Sequence, residues 1–365
     1  MKFAVTKDAL LDGLQRIQNV VSSRATLPVL TNALVETTEA GLRLTTTDLE
    51  VGIRCDVPAH VERAGATTIP AKRLASIVRE LPSAEVIVET DSKNVTSLSC
   101  GNSFFKIYGL PREDFPPFPQ FQDAKTYTLK QSDLKDGLRK TGYAISADET
   151  RYVLNGILFS FTENKLTMVA TDGRRLALFD CDIEFPKSQE RDFIVPTKAV
   201  NELLRMLGDD GEVQIFAGEN LVLFRVAGVE LASKLVEGNY PNYRQVIPGE
   251  ARERITLERE AFLNSVRRVS LLSTDKSSSI RLGFSKNNLD ITANTPEVGE
   301  ARESLAVPYR GKDFAIAFNP EFLMDPLRNL SEEEIHLELI DEMSPGVIKI
   351  NTPFLYVLMP MRVSV

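Results

Sequence analysis

The 365-residue sequence predicts an α+β protein of three tandem domains, each built from two similar halves of the form strand-helix-strands. Three observations lead there. A twelve-residue phrase near the start returns twice, a strand-like segment follows each copy, and a second strand-to-helix signal follows each of those segments. Repeats spaced this widely are whole domains, too long for solenoid units.

The phrase runs from Phe3 to Leu14 (FAVTKDALLDGL), reappears from Tyr127 to Leu138 (YTLKQSDLKDGL), and is fainter from Ile255 to Val266 (ITLEREAFLNSV). It starts as a strand, after which Leu10, Leu11, Leu14 and Ile17 mark the buried face of a helix. Leu134 and Leu138 repeat that face in the second copy. About 40 residues after each start come the strand-like segments Leu42 to Asp48, Leu166 to Asp172 and Leu289 to Thr295. Then come Ile69-Pro70, Val195-Pro196 and Asn319-Pro320, each leading into a helical pattern such as Leu203, Leu204 and Leu207. Proline suits the first helical position, where its fixed φ fits and no amide is lost. Two helices per repeat give six. Proline-rich stretches at 111–119 and 240–249 end the first two repeats as stiff connections. The expected domains are 1–122, 123–250 and 251–365.

An apolar content of 43% is ordinary for a globular chain, and no apolar run approaches the roughly 18 residues of a membrane span. The start opens directly into a strand, with no secretory or transit segment expected. Cys55, Cys100 and Cys181 have no metal-like spacing and cannot all pair, which suits small buried thiols in a reducing cytosol.

Charge is segregated. The six helical segments together carry +7, within a chain of net charge −8. An acidic protein is normally repelled by nucleic acid, but six helices sharing one surface would make that surface positive. The alternative is that Lys and Arg are good helix formers on solvated faces.

Catalytic equipment is sparse. His60 and His336 stand alone among strand-like residues, where an edge or solvated role is expected. No phosphate loop, dinucleotide glycine pattern, nucleophile elbow or zinc-protease helix is present. Asp48 and Asp172 follow equivalent threonines, and the third copy has Thr295 there, so capping of a turn explains them better than a metal pair. Ser331 to Glu334 reads as a solvated acidic loop. No metal, cofactor or catalytic residue is expected.

Five segments resemble the bacterial DNA polymerase III beta subunit family, the sliding clamps. They are Arg24 to Leu30, Thr45 to Glu50, Arg151 to Leu158, Val169 to Ala177 and Val357 to Arg362. The resemblance covers the whole chain. It implies three clamp domains and a head-to-tail homodimeric ring with helices inside and sheets outside, encircling double-stranded DNA. A ring held by topology needs only mobile phosphate contacts, which position without reading sequence. Matching positions for DNA contact are Arg24, Lys72, Arg73, Arg151, Tyr152 and Lys198; Asp148 stands where some relatives carry a contacting Gln.

The family also implies a pocket between the second and third domains for short linear peptides. Its owners would be the replicative polymerase alpha subunit, the clamp loader, other polymerases and repair proteins. The matching residues are Leu154, Thr171, Gly173, Arg174, Arg175, Leu176, Pro241, Val246, Val357, Leu358, Met359, Pro360, Met361 and Arg362. Met361 and Leu176 are expected as walls, Pro241 as a rim, and Arg175 as a charged hydrogen-bond donor to the peptide. Arg174, Gln245 and the Val363-Ser364-Val365 end depart from better-known relatives, which bears on partner preference. For the dimer interface the matching residues are Arg73, Phe105, Ile107, Leu271, Leu272, Glu297, Glu300 and Glu303. The location implied is a bacterial cytoplasm, with no membrane partner. Two other readings stay open at this point. One is a metal-dependent phosphodiesterase centred on Asp48 or Asp172, testable by DNA turnover with magnesium or manganese. The other is a monomeric peptide-binding adaptor, testable by solution mass.

Overall fold

A computed structural model describes residues 1–21, 27–121, 123–273, 279–296 and 298–361. The first repeat runs β1 (Lys2–Thr6), α1 (Lys7–Ile17), β2 (Asn32–Thr38), β3 (Gly41–Thr47), β4 (Val51–Val57) and a short β5 (His60–Arg63). Its second half is β6 (Ala66–Pro70), α2 (Ala71–Glu80), β7 (Glu85–Thr90), β8 (Val95–Cys100) and β9 (Ser103–Tyr108).

The second repeat copies that order without a counterpart of β5. It has β10 (Lys125–Lys130), α3 (Gln131–Thr141), β11 (Gly156–Thr162), β12 (Lys165–Thr171) and β13 (Arg175–Asp182). Then come β14 (Arg191–Pro196), α4 (Thr197–Met206), β15 (Glu212–Ala217), β16 (Leu221–Val226) and β17 (Val229–Lys234). In the third, β18 (Glu253–Glu258), α5 (Arg259–Val269), β19 (Ile280–Ser285), β20 (Asn288–Thr295) and β21 (Gly299–Ala306) form the first half. The second half is β22 (Phe314–Phe318), α6 (Pro320–Asn329), β23 (Glu334–Leu339), β24 (Gly346–Lys349) and β25 (Phe354–Leu358).

The prolines before the second helices behave differently from expectation. Only Pro320 is the first helical residue; Pro70 and Pro196 instead close β6 and β14. Pro196 pairs with Gly156 at the end of its strand, leaving the helix to begin one residue later.

By contacts the chain forms two compact units, Met1–Lys135 with Lys198–Leu235, and Asp136–Thr197 with Val236–Val365. These cut across the repeats because two sheets continue from one repeat into the next. In the first unit an eight-stranded sheet has the order β10-β15-β16-β17-β4-β3-β2-β6, so β4 and β17 join the first repeat to the second. A five-stranded sheet, β5-β1-β7-β8-β9, completes that unit. Helix α1 buries Leu10, Leu14 and Ile17 against β3, β4 and α2, as their spacing predicts. It lies close enough that a Cβ on Gly13 would stand 2.5 Å from Val57 Cγ2.

In the second unit the order is β14-β11-β12-β13-β25-β24-β23-β18, with β13 and β25 joining the second repeat to the third. A four-stranded sheet, β21-β20-β19-β22, lies under α5, and α6 packs against α5 and β25. His60 sits exposed on the edge strand β5, as expected. His336 does not. It is buried inside the second eight-stranded sheet, with Nδ1 3.1 Å from Thr256 Oγ1 and Nε2 3.2 Å from Asn351 Oδ1. A polar ring can be buried there because both nitrogens have partners.

Candidate functional site

The junction between β13 and β25 builds a groove. Leu176 faces Val357 across the ladder, Arg175 faces Leu358, and successive side chains alternate between the sheet's two faces. On one face Leu176 and Val357 join Leu158, Val169, Ile194, Tyr243 and Val347 in a buried apolar floor, edged by Val153, Tyr240 and Ile247. Beside that floor lies a depression of about 350 Å³ lined by Val246, Ile247, Pro248, Ile340, Pro345 and Met359, among others. Val246 and Met359 are 51% and 47% exposed, so apolar surface stands open to water there. Exposed apolar patches of this kind mark binding sites.

Alternation corrects two expectations. Leu358 is fully buried and turned to the helix side, where its Cδ2 crowds Gly346, so it does not line the groove. Arg175 is turned the same way and is spent on the protein. Its Nε lies 3.0 Å from Asp172 Oδ2, Nη1 donates to Asp325 Oδ2 at 2.5 Å, and Nη2 donates to the Tyr143 carbonyl at 2.7 Å. The guanidinium also lies 4.4 Å from the centre of the Phe322 ring. Burial works against its charge, but Tyr356 and Asp325 outweigh that and hold its pKa above the ordinary value. Arg175 is thus a strut between strand and helix.

The turn after β12 is built as the sequence suggests. Asp172 Oδ1 accepts from the Arg174 and Arg175 amides at 2.9 and 3.1 Å, and Thr171 Oγ1 donates to the Arg175 carbonyl at 2.6 Å. Asp48 does the same for Glu50 and Val51, at 3.1 and 2.8 Å. Gly173 takes a φ of +84° in that turn, a value a side chain would strain. Arg151 ties the turn down, its Nη1 donating to the Asp172 carbonyl at 3.0 Å. Leu176 is buried in the floor rather than standing as a wall, and Leu154 is buried too. Pro241 and Arg174 are exposed, Thr171, Pro360 and Met361 half-buried, and the Met361 amide donates to Ala317 at 2.8 Å. Arg362 lies outside the described residues. Ile340 and Pro345, on the β23 and β24 side, were not foreseen, since a loop between strands carries no motif.

Basic side chains on the helices are mostly neutralised locally. Arg16 pairs with Asp12, Lys135 with Asp209, Arg205 with Glu202 and Arg268 with Glu303. Lys198 pairs with Asp48, and Arg151 with Asp148, whose carboxyl Thr150 and Arg151 hold below its ordinary pKa by hydrogen bonding. Helix α2 differs. Lys72, Arg73 and Arg79 are exposed, with no carboxylate within ion-pair distance among the described residues. Tyr152 is exposed, and Arg24 lies outside the described residues.

Strands β9 and β21 each end a sheet. Phe105 is partly exposed on β9, whereas Ile107 is buried. Leu271 is 78% exposed, Leu272 is half-buried, Glu300 is exposed, and Glu303 is held by Arg268. Glu297 lies outside the described residues. Among the described residues, no group of three or more His, Cys, Asp or Glu side chains is placed to hold a metal, and no helix is long and apolar enough to cross a membrane.

Family models for the DNA polymerase III beta subunit match along the chain: the N-terminal domain at residues 1–119, the central domain at 128–242 and the C-terminal domain at 244–362. The beta sliding clamp of Chlamydia muridarum is 37% identical over 362 residues, covering 99% of each chain. That of Escherichia coli K12 is 36% identical, covering 99% of this chain and 100% of its own. A crystal structure of the Bartonella birtlesii sliding clamp bound to griselimycin superposes over 100% of both chains, with a TM-score of 0.95 at 36% identity.

Proposed function

Because the chain belongs to the bacterial DNA polymerase III beta subunit family, and is a beta sliding clamp that confers processivity without catalysis, we propose how its residues divide that work. Two copies close head to tail around double-stranded DNA, each contributing clamp domains at 1–122, 123–250 and 251–365. The unpaired cations Lys72 and Arg73 of α2 give the principal phosphate contact, with Arg24, Arg151, Tyr152 and Lys198 in support. For Lys198 that means leaving Asp48 when a phosphate arrives. The groove over Leu176 and Val357 receives short apolar peptides from the polymerase alpha subunit, the clamp loader and other polymerases and repair proteins. The setting is the bacterial cytoplasm.

The observation that carries this reading is exposed Val246 and Met359 standing over a buried apolar floor at the second junction. A shallow apolar groove with few polar fixings releases its ligand readily, which suits a clamp shared among several enzymes. Arg175 supports the groove from behind and does not contact peptide. The test pairs Val246→Asp with Met359→Asp and measures binding of a synthetic peptide carrying the polymerase's C-terminal tail. Binding should fall about a hundredfold, in line with loss of central apolar anchors, while dimer mass and retention on nicked circular DNA stay unchanged. Peptide binding at wild-type strength would remove the groove from this role.

A further inference from the structure

Two lysines hold the same place in the first two repeats, and only one of them is free. We propose that Asp48 weakens the hold on DNA by competing with phosphate for Lys198. This rests on the phosphate-contact reading above and adds the residue that tunes it.

Helices α2 and α4 stand in the second halves of their repeats, and each starts just after a proline that closes a strand. Lys72 and Lys198 are the second residues of these helices. The first turn of a helix carries the positive end of its dipole, so a cation there is disfavoured unless an anion lies beside it. Lys72 has no carboxylate within ion-pair distance among the described residues. Lys198 pairs with Asp48, 150 residues away in the first repeat.

Asp48 is a turn cap with one oxygen to spare. Its Oδ1 accepts from the Glu50 and Val51 amides at 3.1 and 2.8 Å, as Asp172 Oδ1 accepts from the Arg174 and Arg175 amides at 2.9 and 3.1 Å. The two aspartates then differ. Asp172 Oδ2 lies 3.0 Å from Nε of Arg175, three residues on. Three residues after Asp48 stands Val51, buried and uncharged, so Oδ2 is left for Lys198. In the third repeat Thr295 takes this place and donates its hydroxyl to the Leu272 carbonyl at 2.5 Å, with no charge to offer. The withheld lysine thus follows from three positions together: Asp48, Val51 and Lys198.

The pair has little to do with stability. The Lys198 side chain is 38% exposed, and an ion pair with a partner open to water contributes little to folding. What it changes is the charge a ligand meets. A phosphate reaching Lys198 must displace a carboxylate already bound there, so the gain from neutralising the phosphate is reduced by loss of the pair. A protein that slides along a duplex needs contacts that break readily, and Asp48 loosens this one while leaving the lysine in place. Asparagine separates the two tasks of Asp48. Its amide oxygen still accepts the bonds of the turn, but it carries no charge to hold a cation.

Asp48→Asn should therefore tighten binding to a short labelled duplex, read by fluorescence anisotropy over a salt series. Freeing one cation adds about one phosphate contact, so affinity should fall about threefold further between about 50 and 200 mM salt than it does for the unaltered chain. Lys198→Ala should cancel this: the Asp48→Asn, Lys198→Ala double variant should bind no more tightly than Lys198→Ala alone. A gain that survives the loss of Lys198 overturns the proposal, because removing any negative charge would then suffice. So does an unchanged salt dependence accompanied by a lower melting temperature, since the pair would then only fasten one repeat to the next. Lys72→Glu with Arg73→Glu separates this role from the reading beneath it. If that variant loses binding while Asp48→Asn changes nothing, the DNA contact stands and the role of Asp48 fails. If neither alters binding, both fail.

Discussion

Arg175 shows how one residue can belong to a site without touching its ligand. It is nine-tenths buried, bound to Asp172 and Asp325, and packed on Phe322. Replacing it with Ala leaves Asp172 without its cation and Asp325 with only Arg328, 3.4 Å away, and such losses cost about 3 kcal/mol. We expect Arg175→Ala to lower the urea midpoint accordingly. Arg175→Lys should recover only part, because a point charge cannot bridge two carboxylates and a carbonyl. Its role was not legible in the sequence, where Arg175 is simply the charged residue beside Leu176; only strand alternation and the distant Asp325 place it. Asp48 and Asp172 were legible, because a strand-end aspartate two residues before the next amides has a local job. Cys55 gives a second expectation at this scale. Burial pushes its thiol up to about 12, so the thiolate is scarce at pH 8. Iodoacetamide should modify native Cys55 no faster than the chain unfolds; rapid labelling at low denaturant would contradict its buried placement.

Among the elements, α1 sits on its sheet through Gly13, and the neighbour that a Cβ would strike is the stiff, β-branched Val57. Overpacking of this kind costs about 1–3 kcal/mol, against roughly 1 kcal/mol of helix propensity gained. Gly13→Ala should therefore destabilise by about 1 kcal/mol net, seen as a lower melting temperature, where an exposed helical glycine would give a higher one. The ladder between β4 and β17 carries the Arg54 and Glu230 pair. Burial pushes the Glu230 carboxyl up, but hydrogen bonds from Arg225 and Arg54 outweigh it and hold the pKa below the ordinary 4.5. A depressed carboxylate contributes stability that is complete above that ordinary value and fades as pH falls through the lower folded one. Glu230→Gln should thus cost stability at pH 7 and leave a shallower acid-unfolding slope below pH 4.5. An unchanged slope would mean the pair is inert. The six halves were legible because periodicity and proline placement are local signals. Which strands would join across repeats was not, since a ladder of long sequence separation leaves no local mark.

At the scale of the molecule the basic helices were visible as a count, but their neutralisation was not, because Asp209 and Asp48 lie far in sequence from Lys135 and Lys198. Positive charge left free on α2 makes a definite expectation. Lys72→Glu with Arg73→Glu should shorten residence on linear duplex at low salt and matter far less on closed circles, where the proposed ring would be held by topology. Equal loss on both would mean that these residues act in loading or closure. The repeated junction has a further consequence. In the proposed dimer the two junctions inside each copy are tethered by the polypeptide and the one between copies is not, so they work at very different effective concentrations. Dilution should separate copies while leaving β4 on β17 and β13 on β25. Dissociation should then depend on protein concentration, whereas the unfolding of the separated chain should not. The proposed ring, opened this way, would part at the one joint where no backbone must yield, so admitting DNA would require no loss of folded structure.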